Sequence, residues 1–166
     1  MIDAPTLLSA LAIGAGATLC IDAWNLFLAR AFGVRSLDYC LLGRWVAHLP
    51  RGVVRHRAIA AAEPRRGECA LGWAAHYGIG ASLSLALVLW IAPTWLAHPT
   101  LTMAVAYGVA TVVFPFFVLQ PALGLGVASA ATRNPAQARL KSLATHTVYG
   151  VGLYAWAHVA AVLLAR

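Results

Sequence analysis

The chain has 166 residues, of which 61% are hydrophobic and only 10% charged, with a formal charge of +7. Soluble domains carry about 25% charged residues, so this composition excludes an ordinary water-covered globule. A mean hydropathy of +0.77 points instead to long apolar runs. The basic excess is not a nucleic-acid signature, because no aromatic-interleaved basic groove and no recognisable module accompanies it, and no nucleic-acid partner is expected.

Taken in order, the apolar runs cover Thr6–Ala29, Cys69–Ala92, Leu101–Leu119 and Leu143–Ala165. Each approaches the roughly 20 residues that a bilayer-spanning helix needs. The expectation is an all-α, polytopic membrane protein, with four transmembrane helices in a single domain over residues 1–166. The first run lacks a basic n-region, is too long and contains Asp22, so it does not read as a secretory signal.

Eight of the twelve cations, Arg30, Arg35, Arg44, Arg51, Arg55, Arg57, Arg65 and Arg66, fall in the first connection. The positive-inside rule places that connection in the cytoplasm. The second connection, around "PTWLAHPT", has no Lys or Arg. The third, "ATRNPAQARLK", holds Arg133, Arg139 and Lys141. The alternation predicts a multi-pass protein of the bacterial inner membrane with both termini periplasmic, and Arg166 is the one mild exception. The partners expected are the lipid bilayer and, at the Arg-rich connection, anionic lipid. A homo-oligomer or a membrane partner of unknown kind is compatible with this reading.

Within the first connection Ser36 is placed to cap a short helix over "LDYCLLGRWVAHL", ended by Pro50. Tyr39 and Trp45 suit the headgroup level, so this helix reads as interfacial, either an anchor or a lid over a cytoplasm-facing site. Cys20, Cys40 and Cys69 form no C-x-x-C, and on the predicted topology they read as free, reduced thiols. In the third run Pro115, then Pro121, Gly124 and Gly126, predict a break in the helix. Asn134 and Pro135 read as the cap and first turn of the last helix.

The polar residues inside the runs need a reason. Asp22 is the only charged group between Asp3 and Arg30, roughly 12 Å along a helix from that arginine. His76 lies at a similar depth from Glu68, and His146 roughly 7–8 Å in from Lys141. Gln120 ends the third run on the same predicted side. Asp22 follows Ala10, Gly14 and Thr18 at four-residue spacing, with Asn25 about one turn on; Gly72, His76 and Gly80 repeat the pattern, and His146 precedes Gly150. Small residues on such stripes let helices approach closely and turn the polar groups toward other helices.

An ionised carboxylate alone at that depth costs several kcal/mol. It calls for a partner, and His76 or His146 is expected to meet it. Three functions fit. The cluster Asp22, Asn25, His76, Gln120 and His146 forms a proton-linked or small-solute site open to the cytoplasm; or it only fixes helix packing in a structural or assembly protein; or, lower, Asp22, His76 and His146 bind a metal as a two-His-one-carboxylate set. No H-x-x-x-H or H-E-x-x-H spacing supports the metal. No Ser-His-Asp set, P-loop or dinucleotide fingerprint appears, so the reading leans away from an enzyme and expects no cofactor. A short echo between "WAAHYGIG" and "LATHTVYGVG" suggests two out-in-out hairpins as parallel pseudo-repeats.

The segments "SLDYCLLGRWVAHLPRG", "LGWAAHYGIG", "LQPALGLGVASAATRNP" and "ARLKSLATHTVYGVGLY" together resemble the bacterial domain-of-unknown-function 2938 family of small integral membrane proteins. The resemblance covers nearly the whole chain. It implies a four-helix inner-membrane protein and carries no activity. Asp22, His76, Gln120-Pro121 and His146 match the family's pattern.

Overall fold

The computed structural model describes residues 3–34, 36–92 and 94–164. Arg35, Arg166 and Ala165, the last residue of the fourth expected run, lie outside them. The described residues are all-α, with no strand.

Helix α1 (Ala4–Phe32) starts where Asp3 accepts the Thr6 N–H at 3.1 Å, with Pro5 in the first turn. It stops at Gly33, whose φ of 65° suits the left-handed cap that closes onto the carbonyls of Ala29 and Leu28. Helix α2 (Tyr39–His48) is capped by Asp38, which accepts the Cys40 N–H at 2.8 Å. Asp38 therefore takes the capping role expected of Ser36. Its carboxylate stands next to the first helical residue, whereas Ser36 is two residues too early. Pro50 lies in the 3₁₀ turn Leu49–Arg51 that ends this segment.

Helix α3 (Glu68–Ala86) runs on into a π turn, Leu87–Ile91. Helix α4 (Leu101–Ala110) is followed by a π turn over Pro115–Leu119 and a last helical turn, α5 (Gln120–Ala122). Proline has no N–H to continue the ladder and its ring crowds the preceding turn, so the chain widens there. A loop through Gly124 and Gly126 and the 3₁₀ turn Val127–Ser129 leads to α6 (Pro135–Leu164), where Asn134 accepts the Gln137 N–H at 3.2 Å. Among the described residues three helices are long and apolar enough to cross a membrane: Ala4–Phe32, Glu68–Ile91 and Leu101–Ala122. Helix α6 is 30 residues long but is not one of these three. It mixes apolar residues with Arg139, Lys141, His146 and His158.

The chain packs as two compact units. One comprises Met1–Arg35, Tyr77–Thr111 and Thr145–Arg166, the other Ser36–His76 and Val112–Ala144. The core of the first is Ile13, Ala17, Ile21, Leu87, Trp95, Ala104, Tyr149, Leu153 and Ala157. Small residues set its helix spacing. Gly14 abuts the backbone of Gly80 and Ala81, Gly152 abuts Ala17, and Gly108 and Gly150 face each other across α4 and α6.

In the second unit α2 and α3 cross where Gly43 meets the Glu68 carbonyl and Gly72 meets the Tyr39 carbonyl; a methyl on either glycine would overlap the other helix's backbone. Arg44 grips Glu68 through Nε at 2.9 Å and Nη2 at 2.7 Å, and its Nη1 reaches the Ala62 carbonyl at 3.1 Å. The same crossing joins Cys40 to Cys69 in a disulfide. This corrects the expectation of free thiols for these two residues; Cys20 is free. The expectation rests on the reducing cytoplasm and the missing C-x-x-C, whereas the glycines bring the two helix starts into contact.

The connection folds back on the end of α5. The His56 N–H donates to the Ala122 carbonyl at 2.8 Å and the Ile59 N–H to that of Leu123 at 3.1 Å. The His56 ring meets that of His48 edge-on at 5.0 Å. Burial first, and His48 second, hold His56 below its ordinary value. Folding thus favours the neutral ring, and this contribution to stability is complete above the ordinary value of about 6.5 and lost as pH falls through the lower folded value. Acidification from about pH 7.5 to 5.5 is expected to speed hydrogen exchange at the His56 and Ile59 amides beyond the intrinsic pH effect. A His56→Gln chain that shows the same acceleration would remove His56 as its cause.

Candidate functional site

Asp22 sits on α1 within the first unit. Its Oδ2 accepts a hydrogen bond of 2.8 Å from the Tyr77 hydroxyl on α3. Thr18, one turn earlier, donates its hydroxyl to the Gly14 carbonyl at 2.8 Å and packs against Gly80. The α1 stripe seen in the sequence therefore faces α3 at Gly14 and Thr18. Asn25 lies about one turn beyond Asp22 and is partly buried.

His146 belongs to the same unit. Its Nδ1 lies 2.7 Å from the Thr111 Oγ1, which in turn lies 2.6 Å from the Gly108 carbonyl. A carbonyl only accepts, so the single Thr111 hydroxyl proton goes to Gly108 and His146 Nδ1 donates to Thr111. The tautomer follows: Nδ1 carries hydrogen, and Nε2 is the nitrogen that takes or gives a proton. Two tyrosines add further polar contacts across these helices. Tyr149 donates to the Gly80 carbonyl at 2.6 Å and Tyr107 to that of Leu83 at 2.7 Å.

His76 and Gln120 belong to the second unit. His76 stacks on Tyr39, with centroids 4.0 Å apart, and Trp73 touches both rings edge-on. Gln120 is 8% exposed; its Nε2 donates to the Ser142 hydroxyl at 3.2 Å, while its buried Oε1 has no hydrogen-bond partner. Pro115 opens the π turn that precedes Gln120, and Pro121 lies in α5 beside it. Among the described residues no group of three or more His, Cys, Asp or Glu side chains is gathered for a metal ion.

Sequence reading overlooked Tyr77, Thr111, Ser142, Tyr107 and Tyr149. A signal existed for Tyr77, the neighbour of His76 in an otherwise apolar helix. For the others, a hydroxyl in a membrane-length helix was too common a feature to single out.

These features define an all-α protein whose apolar helices are locked by glycine contacts and by hydroxyl groups bonded to polar side chains and helix carbonyls. The chain belongs to the family described as Protein of unknown function (DUF2938), whose model matches residues 11–160. No curated protein and no solved structure matches it.

Proposed function

We propose that this chain is a multi-pass protein of the bacterial inner membrane, with four spans and both termini periplasmic, carrying a proton-linked site built from Asp22, Asn25 and His146 of the first unit. The observation that carries this reading is the Asp22–Tyr77 bond, which holds an ionisable acid in place inside a membrane-length apolar helix. Ionisable groups in such helices mark ion or solute pathways. His146 supports it, since Thr111 commits Nδ1 and gives Nε2 the proton chemistry. A small solute carried with the proton uses the same groups. The exposed Arg51, Arg55, Arg57 and Arg66 of the first connection suit anionic lipid headgroups.

A second reading rests on its own observation. Tyr107, Tyr149 and Thr18 all donate to helix carbonyls, as clamps that fix packing do. In that reading the Asp22 cluster is one more clamp, in a structural or assembly protein.

Purified protein in liposomes loaded with a pH-sensitive dye separates the two main readings. After a pH jump, wild type is expected to equilibrate at least about tenfold faster than Asp22→Asn, a loss of at least 1.4 kcal/mol of barrier lowering. Equal rates in two folded proteins would leave the packing reading. Reporter fusions after Gly67 and Arg133 are expected to report the cytoplasm, and fusions near Pro99 the periplasm. A cytoplasmic Pro99 would overturn the topology.

A further inference from the structure

The bridge between α2 and α3 is built from a repeated motif. "YCLLG" (Tyr39–Gly43) and "ECALG" (Glu68–Gly72) share C-x-L-G, and in each the cysteine is the second residue of its helix. The contacts are reciprocal: Gly43 lies on the carbonyl of Glu68, the residue before one cysteine, and Gly72 on that of Tyr39, the residue before the other. The two helices thus pack side by side in the same direction, starts together, and this places the sulfurs in contact. The bidentate Arg44–Glu68 pair holds the same crossing without covalent help, so the cysteines stay neighbours when the bond is open.

We propose that Cys40 and Cys69 form a thiol–disulfide exchange site that opens and closes reversibly with an external dithiol or disulfide. Cys69 is exposed while Cys40 is half-buried, which makes Cys69 the sulfur an outside partner reaches. Both sit in the first turn of a helix, where the positive end of the helix dipole favours a thiolate. Glu68, the carboxylate next to Cys69, is neutralised by Arg44 and accepts the Arg65 N–H at 2.8 Å. Closing proceeds in two displacements. The Cys69 thiolate attacks one sulfur of an external disulfide and expels one thiolate. Cys40 then attacks the Cys69 sulfur and expels the second, and the two protons lost by the cysteines are taken up by the two thiols released. Opening is the reverse, with two external thiols oxidised to a disulfide. Cytosolic disulfides are usually transient and redox-sensing. The cytoplasmic placement rests on the topology proposed above, whereas exchange in detergent is independent of it.

The test uses the full chain in detergent with mixtures of reduced and oxidised glutathione, acid-quenched, unfolded and alkylated with a mass-shifting maleimide. Wild type, with three cysteines, is expected to show one alkylatable thiol in oxidised glutathione and three in excess reduced glutathione, and to cycle between them. Cys40→Ser is expected to trap glutathione on Cys69, and Cys69→Ser to trap it on Cys40 at least tenfold more slowly. Failure of oxidised glutathione to close the pair would overturn the proposal, as would a bridge that survives excess reduced glutathione in the folded chain. If a variant does not fold, the wild-type cycle decides alone.

Discussion

Tyr77→Phe is expected to lower the unfolding free energy by about 1.5–3 kcal/mol, the range for a hydrogen bond to a charged group. Denaturant titration in detergent micelles measures it. The substitution removes one oxygen, keeps the ring, and takes from Asp22 the donor that lies 2.8 Å away. Asp22→Leu is expected to cost less than Tyr77→Phe. It removes an acceptor from the Tyr77 hydroxyl, but it also removes a carboxylate whose place in an apolar helix is itself unfavourable by a few kcal/mol. The double variant Asp22→Leu/Tyr77→Phe is expected to recover most of the Tyr77→Phe loss, because both polar groups are then gone together. Additive losses would mean that the two side chains do not act as a pair.

Gly150→Leu is expected to be worse, beyond the usual ~1–3 kcal/mol of an overpacked core, with most of the protein lost to aggregation on size-exclusion chromatography. A Cβ at Gly150 would lie 2.6 Å from the Ala104 carbonyl oxygen and 2.7 Å from the Val105 Cα. These are backbone atoms, which no rotamer change moves aside. Gly108 opposes it and is as tightly closed by the His146 carbonyl and by Gly150. Separating α4 from α6 at this level therefore also pulls Thr111 away from His146. The control is Gly78→Ala, where a Cβ meets nothing within 4 Å; the better helix former is expected to be neutral or to stabilise by up to about 1 kcal/mol. A soluble, monodisperse Gly150→Leu would contradict the close helix contact.

The helices were legible because apolar runs and capping residues are local signals. Leu101 opens both the expected run and α4, and Asn134 caps α6 as read. Which helix face meets which was not legible. The long helices are apolar on nearly every side, so no periodic pattern reports their rotation. Gly14, Gly80 and Gly150 could be recognised as contact points from their small size, yet that does not say that Gly150 meets α4 or that Tyr77 points at Asp22. The cysteines show the opposite failure. C-x-L-G occurs twice in the chain, but a repeat alone does not bring two helix starts together, and a reducing compartment favours thiols. Ser36 and Asp38 are both capping residue types, and only the start of α2 at Tyr39 decides for Asp38.

The hydrogen bonds from His56 and Ile59 to the carbonyls of Ala122 and Leu123 also order events in time. The acceptors are made about sixty-five residues after the donors, roughly 3–13 s later at the ribosome's 5–20 residues per second. The arginine-rich connection leaves the ribosome before the carbonyls that organise it exist. The crossing of α2 on α3 draws on residues already made, so it is available first, and the connection locks down only when α5 arrives.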